Sequence, residues 1–308
     1  MSFNVAEAES IGLQILQSIR DYGDSLNAGR EVPEDALSIL TACKELQALV
    51  TSPADWVFQM STAHYRSIAV CLLLDWNLLG ILAKAGGELS LGRLGDILGV
   101  SKPMLRCTMR ECVSQKIIGE PLPEVYQLNK NSQFLLDPEM SAIAHHYADV
   151  GLRAGAYIPD YIARTKGSLL DSPHTTSFQA AFGNHSFYDF HRNVDQTRGA
   201  RFDTFMESCP RSELIESFFP FNNLGPGSVV VDVGGGRGHH SIRLATEYPQ
   251  LSLVVQDCEI KMPPTQSVAE EAVLERVKWQ QHDYFNEQHV IGADVYLLSN
   301  ILMDQTPA

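Results

Sequence analysis

Basic residues are scarce in this chain. Its 308 residues hold 23 Lys and Arg against 37 Asp and Glu, a formal net charge of −14. A nucleic-acid surface needs a basic surplus or stripe, so no nucleic-acid partner is expected, and a neutral or cationic small molecule suits this field better. Cysteine is also sparse. Six are scattered at 43, 71, 107, 112, 209 and 258, and none forms a CxxC pair. That spacing excludes a disulfide frame and a zinc motif, and reads as free thiols in a reducing, cytoplasmic setting with no metal. No apolar run reaches the about 18 residues a bilayer span requires. The longest candidate, Ile68–Ala83, is interrupted by Asp75 and Asn77, so no membrane is expected. The opening MSFNVAEAES lacks the basic-then-apolar order of a secretory signal.

Apolar residues are not scarce. At 44% hydrophobic and 19% charged, the chain can bury a core, and its length suits two domains. Val5, Ala8, Ile11, Ile15 and Ile19 recur at helical spacing, as do Leu37, Leu40, Cys43, Leu46 and Val50. Residues 68–85 read as a helix closed by Gly86 and Gly87. A second helix follows over "LSLGRLGDILGVS", then a turn, then a third helix capped at Ser101 with Pro103 in its first turn. "EPLPEVYQLNKNSQFLL" reads as a hairpin, which completes a winged-helix order. Lys and Arg there barely outnumber Asp and Glu, so the segment is expected to pack and dimerise rather than to bind DNA. Residues 136–223 read as mostly helical and rich in His and aromatic side chains, among them His146, Phe178, Phe187 and His191. Such a segment can line a pocket for a flat organic substrate.

From residue 225 the pattern becomes α/β. "GPGSVVVDVGGGRGHH" gives a buried strand, a glycine loop and a helix stopped by Pro249. "LSLVVQD", "VKWQQHDYF" and "GADVYLLSN" give three further strands, so a parallel sheet is expected. Gly234, Gly236 and Gly238 permit a sharp strand-to-helix turn and let a ligand lie on the backbone. The dinucleotide fingerprint wants Gly or Ala at 239, where His239 stands; Asp232 precedes the loop and, with Gly234, Gly236 and Gly238, is expected to contact the ligand. Asp257 ends the second strand, where a carboxylate can accept both ribose hydroxyls of a nucleoside. Asp283, near the end of the third, can accept from an adenine amino group. Acids are tolerable beside a ligand that carries no phosphate, and a sulfonium favours them. The expected cofactor is S-adenosylmethionine.

These residues resemble the plant- and fungal-type small-molecule O-methyltransferases. The resemblance runs from about 45 to 304. It is most specific in "VVDVGGGRGHHSIRLATEYPQLSLVVQD", "HDYF" and "GADVYLLSNILMD", and it extends to "LLLDWNLLGILA", "LGVSKPMLRCTMRECVSQKIIGE" and "FDTFMES". It implies a Rossmann-like α/β methyltransferase sheet preceded by an all-α, winged-helix N-terminal domain. The segments are then 1–135 for homodimerisation, 136–223 for the acceptor pocket and 224–308 for the cofactor, with Gly234, Asp257, Asp283 and Tyr284 as cofactor contacts and a small aromatic acceptor. It implies further strands beyond the fourth, so the sheet is expected to be truncated at its C-terminal part.

Two positions depart from the family pattern. Ser299 stands where a basic residue usually helps hold the cofactor. Met303 stands where the family has the His that deprotonates the acceptor, and a thioether cannot take that proton. His146, His185 and His191 are the remaining candidates for a base. The chain is expected to methylate a phenolic or polyketide-like secondary metabolite. The substitution at 303 leaves two alternatives: a pericyclase or dehydratase that uses the cofactor pocket without methyl transfer, and a non-enzymatic pathway regulator.

Overall fold

The structure, a computed structural model, describes residues 4–30, 33–166, 176–207, 219–260, 262 and 272–302. The chain forms two compact units, 1–65 and 66–308, dividing inside the 1–135 segment that the sequence suggests as one domain.

The first unit is helical: α1 Val5–Asn27, α2 Pro33–Val50 and α3 Pro53–Thr62. Asn4 starts α1, its side-chain oxygen accepting from the Glu7 backbone N–H. Helices α1 and α2 pack along one another and bury Ala42. Their apolar stripes are wider than that contact, so Leu13, Leu16 and Ile19 of α1 and Leu37 and Leu40 of α2 stay exposed.

A helix His64–Asp75, most of it in the second unit, stops where the sequence suggests continuation. Asn77 takes a left-handed backbone (φ 47°), which Asn tolerates, and a new helix Leu78–Lys84 begins. Three antiparallel strands follow in the order β1-β3-β2: β1 Glu88–Ser90, β2 Gly119–Leu122 and β3 Val125–Gln127. Helices Leu91–Leu98 and Lys102–Ser114 lie between β1 and β2 in sequence. Ser90 caps the first, Gly99 ends it in a left-handed turn, and Ser101 with Pro103 opens the second. Leu73, Leu78, Leu94, Leu105 and Tyr126 are fully buried in their shared core.

Short helices then lead to Gln196–Glu207, and two of them include π-helical turns, Tyr147–Gly151 and Phe190–Val194. The last part is a four-stranded sheet: β4 Val229–Val233, β5 Ser252–Asp257, β6 Val277–Gln281 and β7 Val295–Leu297. All neighbours are parallel, in the order β6-β5-β4-β7. The chain crosses from β4 to β5 through helix His239–Glu247, which presses Leu244 and Ala245 onto Val230, Leu253 and Val255. Because β5 and β7 flank β4 on opposite sides, the order reverses at β4. In an open parallel sheet, that switch point at the carboxyl ends of the strands is where ligands bind.

Candidate active site

The loop after β4 lies at this switch point. Gly234, Gly236 and Gly238 all take positive φ (70°, 56° and 79°). Two of them are constrained by packing as well as by backbone. A side chain at 234 would run into Ile301, and a Cβ at 238 would sit 2.8 Å from Val255 Cγ2. Gly236 differs, since a Cβ there would meet nothing within 4 Å. The open side of the loop is therefore at Gly236, and a ligand can approach the backbone there.

Asp257 joins the loop from the end of β5. Its Oδ2 accepts from the Gly236 N–H at 3.1 Å, which fixes the half-buried carboxylate beside that open face. The Gly234 and Gly235 N–H groups donate to the Gln256 carbonyl, so loop and strand are tied along their length. Asp232 has another role than the ligand contact expected of it. It is completely buried under Gly235 and accepts from Ser241 Oγ at 2.9 Å. Burial pushes its pKa up to about 6, the nearby Asp257 charge adds to this, and the Ser241 hydrogen bonds oppose it. Asp232 thus props the loop from beneath, and Ser241, which the sequence reading missed, is its partner.

Asp283 lies beyond β6, which ends at Gln281. It is exposed, and its Oδ1 accepts from the Phe285 N–H at 3.0 Å in a tight turn. The His282 N–H donates to the Asp257 carbonyl at 2.8 Å, which brings that turn to the same sheet end. Tyr284 lines a cavity of about 580 Å³ with Val233, Phe285, Tyr296, Ile301 and Leu302. This apolar space starts at the foot of the glycine loop and includes neither Gly236 nor Asp257.

The three candidate histidines separate. His185 is exposed, with Nδ1 3.1 Å from Asp189 Oδ2. His146 and His191 are buried, with ring centroids 6.2 Å apart, in a wall of Phe178, Phe187, Phe202 and Phe205. Burial lowers the pKa of both, that of His146 to about 4, so both rings are neutral at physiological pH. Met303 lies outside the described residues.

Asp149 beside this wall could not be found from sequence, because two of its partners, Arg198 and Arg201, lie 49 and 52 residues away in the chain. It is buried and accepts from Arg153 and Arg198 Nε, both at 2.7 Å, and from Arg201. Burial alone would raise its pKa, but the hydrogen bonds from Arg198 and Arg201 outweigh that and hold the carboxyl well below the usual range. Arg192, next to His191, pairs with Glu259 just past Asp257, joining the aromatic wall to the carboxyl end of β5 (3.4 Å).

Among the described residues one trio, Cys71, Asp75 and His145, has donor atoms mutually within 4.8 Å. His145 Nε2 is 2.8 Å from Asp75 Oδ1 and the Cys71 thiol donates to Asp75 Oδ2. Burial and the Asp75 charge push that thiol up to about 11, so the neutral S–H prevails and the trio is a hydrogen-bonded tie between helices.

Comparison with known proteins agrees with this architecture. Residues 159–308 match the family model for an O-methyltransferase domain. The chain is 41% identical over 304 residues to N-methyltransferase nanE of Aspergillus nanangensis, covering 97% of this chain and 75% of that protein. It is 38% identical over 273 residues to O-methyltransferase xanE of Aspergillus fumigatus, covering 88% and 63%. The solved complex of LepI with SAM shares the fold, at a TM-score of 0.65 and 22% identity over 92% of this chain and 74% of that one. The chain belongs to the S-adenosylmethionine-dependent O-methyltransferase family.

Proposed function

We propose that this chain binds S-adenosylmethionine at Gly236 and Asp257 and methylates a phenolic or polyketide-like secondary metabolite. The observation that carries the reading is the Gly236–Asp257 hydrogen bond beside the one glycine of the loop whose Cβ position is empty. The donor set fits the group. The glycine lets a nucleoside reach the backbone, and the Asp257 carboxylate has lone pairs for ribose hydroxyls beyond the one Gly236 uses. Asp283 and Tyr284 border the same sheet end and suit an adenine edge. No phosphate-binding cation is needed in a site this acidic. When bound, the cofactor supplies an already activated methyl group on a sulfonium, so the protein's part is to align the acceptor and remove its proton. The aromatic wall of 136–223 holds the acceptor. The exposed apolar faces of α1 and α2 support homodimerisation through 1–135, and 224–308 carries the cofactor.

The relatives support methyl transfer and leave the acceptor atom open, since one is called an N-methyltransferase and the other an O-methyltransferase. Met303 favours a second reading, in which the pocket is kept and methyl transfer is lost, as in a pericyclase, a dehydratase or a regulator. Calorimetry with S-adenosylmethionine tests the cofactor site. Asp257→Ala should lose a charge-assisted hydrogen bond of about 1.5–3 kcal/mol, roughly ten- to hundredfold in affinity. Unchanged affinity would reject the assignment. Product masses after incubation with labelled cofactor and a panel of phenols and amines separate transfer from the second reading.

A further inference from the structure

We propose that His191 Nε2 is the proton acceptor for the group being methylated, in place of the histidine that the family resemblance puts at position 303. This rests on the methyltransferase reading above and adds the residue that would make it work.

The tautomer is set by geometry. His191 Nδ1 lies 2.7 Å from the Phe187 carbonyl oxygen. A carbonyl can only accept, so Nδ1 carries the hydrogen and Nε2 carries the lone pair. That Nε2 is buried and has no hydrogen-bond partner among the described residues, in a side chain 5% exposed. A buried acceptor without a donor is costly, and a donor arriving from outside would satisfy it. The rings around it define what kind. Phe178 lies nearly parallel to the imidazole at 5.9 Å, and Phe187 and Phe202 flank it at 4.2 and 5.3 Å. A flat aromatic carrying an O–H or N–H fits such walls. His146 presents a second unpartnered buried nitrogen, Nδ1, across the same cluster.

The backbone around His191 is pinned. Gly199 of helix Gln196–Glu207 approaches so closely that any side chain there would strike the His191 carbonyl. The π-helical turn closes with the Asp195 N–H donating to the Phe190 carbonyl at 2.8 Å. Such turns are frequent at functional sites. The Arg192–Glu259 pair then keeps this turn beside the cofactor end of β5.

The transfer balances simply. The acceptor's O–H or N–H bond breaks, its electron pair stays on the heteroatom, and the proton goes to Nε2. The heteroatom's pair forms the bond to the methyl carbon, and the carbon–sulfur pair leaves on sulfur. Burial first, and then the Arg201 and Arg198 charges, favour the neutral ring, while the Phe187 hydrogen bond and Asp195 oppose them. The base is therefore in its working form at neutral pH. His146, facing it, is neutral as well.

The test uses the whole chain and His191→Gln, which keeps a nitrogen near the Nε2 position without its basicity. Calorimetry with S-adenosylmethionine should give equal affinity for parent and variant. With any acceptor that the parent methylates, the variant's kcat should fall by about 10²–10⁴. The acid limb of the parent's kcat/KM profile, lying below the ordinary histidine value of 6.5, should vanish. A variant that keeps both rate and limb overturns the proposal. If the panel contains no acceptor, methyl transfer itself is in doubt, and 4-nitrophenol decides the role of His191 separately. Its bound ionised fraction, read by absorbance, should be higher on the parent than on the variant, and equal fractions or no binding by the parent overturn the proposal. Should His191→Gln fail to fold, imidazole nitrogen shifts of the parent remain decisive. They should show Nδ1–H with a bare Nε2 at neutral pH, and the opposite tautomer or an imidazolium overturns the proposal.

Discussion

The glycine loop and the aromatic wall are built differently. The loop is backbone: three positive-φ glycines, hydrogen bonds to the Gln256 carbonyl and one carboxylate, all within 232–257. The wall is side chain: rings and charges from 146 to 205 brought together by packing. Asp149 meets Arg198 and Arg201 only because helices Pro138–His146 and Gln196–Glu207 lie together. A site made of local backbone tolerates changes of neighbouring side chain but no change of glycine. One made of distant side chains depends on a few buried polar contacts.

Asp149→Ala should therefore give the largest loss of stability. Removing one partner of a buried ion pair costs about 3–5 kcal/mol, and the partly exposed Arg153 and Arg198 place the effect at the lower end. Chemical denaturation should show it, with a parallel loss of the aromatic near-ultraviolet dichroism from the wall. The pH dependence has a definite sign. The Asp149 carboxyl is held below its ordinary 3.8, so its contribution is present above pH 3.8 and is lost as pH falls below it. A loss below 1 kcal/mol would mean that the wall does not depend on this hub.

Next come two glycines that sharpen the comparison from inside the loop. Gly238→Ala incurs about 1–2 kcal/mol for a left-handed backbone. It adds about 1–3 kcal/mol of overpacking against Val255, so both stability and cofactor affinity should fall. Gly236→Ala incurs only the backbone cost, because its Cβ meets nothing. It should be the more stable of the two and still lose cofactor affinity, since the methyl would occupy the open face. Equal melting points for the two variants would show that the loop is not packed as described.

The difference in construction also explains what the sequence made legible. Strand, glycine loop, helix and second strand are local patterns, and β4, the His239–Glu247 helix and β5 lie where their residues place them. Gly236 and Asp257 share one hydrogen bond because a βα turn and the next parallel strand bring them together in this fold. The break at Asn77 was hidden because its signal is one residue's backbone choice inside an otherwise helical run. Asp232 looked like a ligand because an acid before a glycine loop does not reveal which way it points. Its burial under Gly235 is a tertiary fact. The choice among His146, His185 and His191 was equally hidden, since only packing separates an exposed His185 from a buried pair.

The smallest expected effect lies beneath the loop, where two groups oppose each other in acid. Burial first, with the His239 and Arg243 charges adding to it, lowers the pKa of His240 from 6.5 to about 3. Its neutral form is the folded one, so its contribution is present above 6.5 and is lost as pH falls towards 3. Asp232 runs the other way. Its pKa is raised from 3.8 to about 6, so folding takes up a proton there, and its contribution is present below 3.8 and is lost as pH rises through 6. Between pH 4 and 6 the two partly cancel, and the parent's stability should change little for this part of the molecule. His240→Leu, which keeps an apolar side chain at a 4% exposed position, removes only one of them. In the variant, the denaturation midpoint should rise relative to the parent as pH is lowered from 6.5 to 4, because the proton uptake at Asp232 is no longer opposed. A midpoint difference between variant and parent that does not vary over that range would show that His240 titrates alike in the folded and unfolded chains.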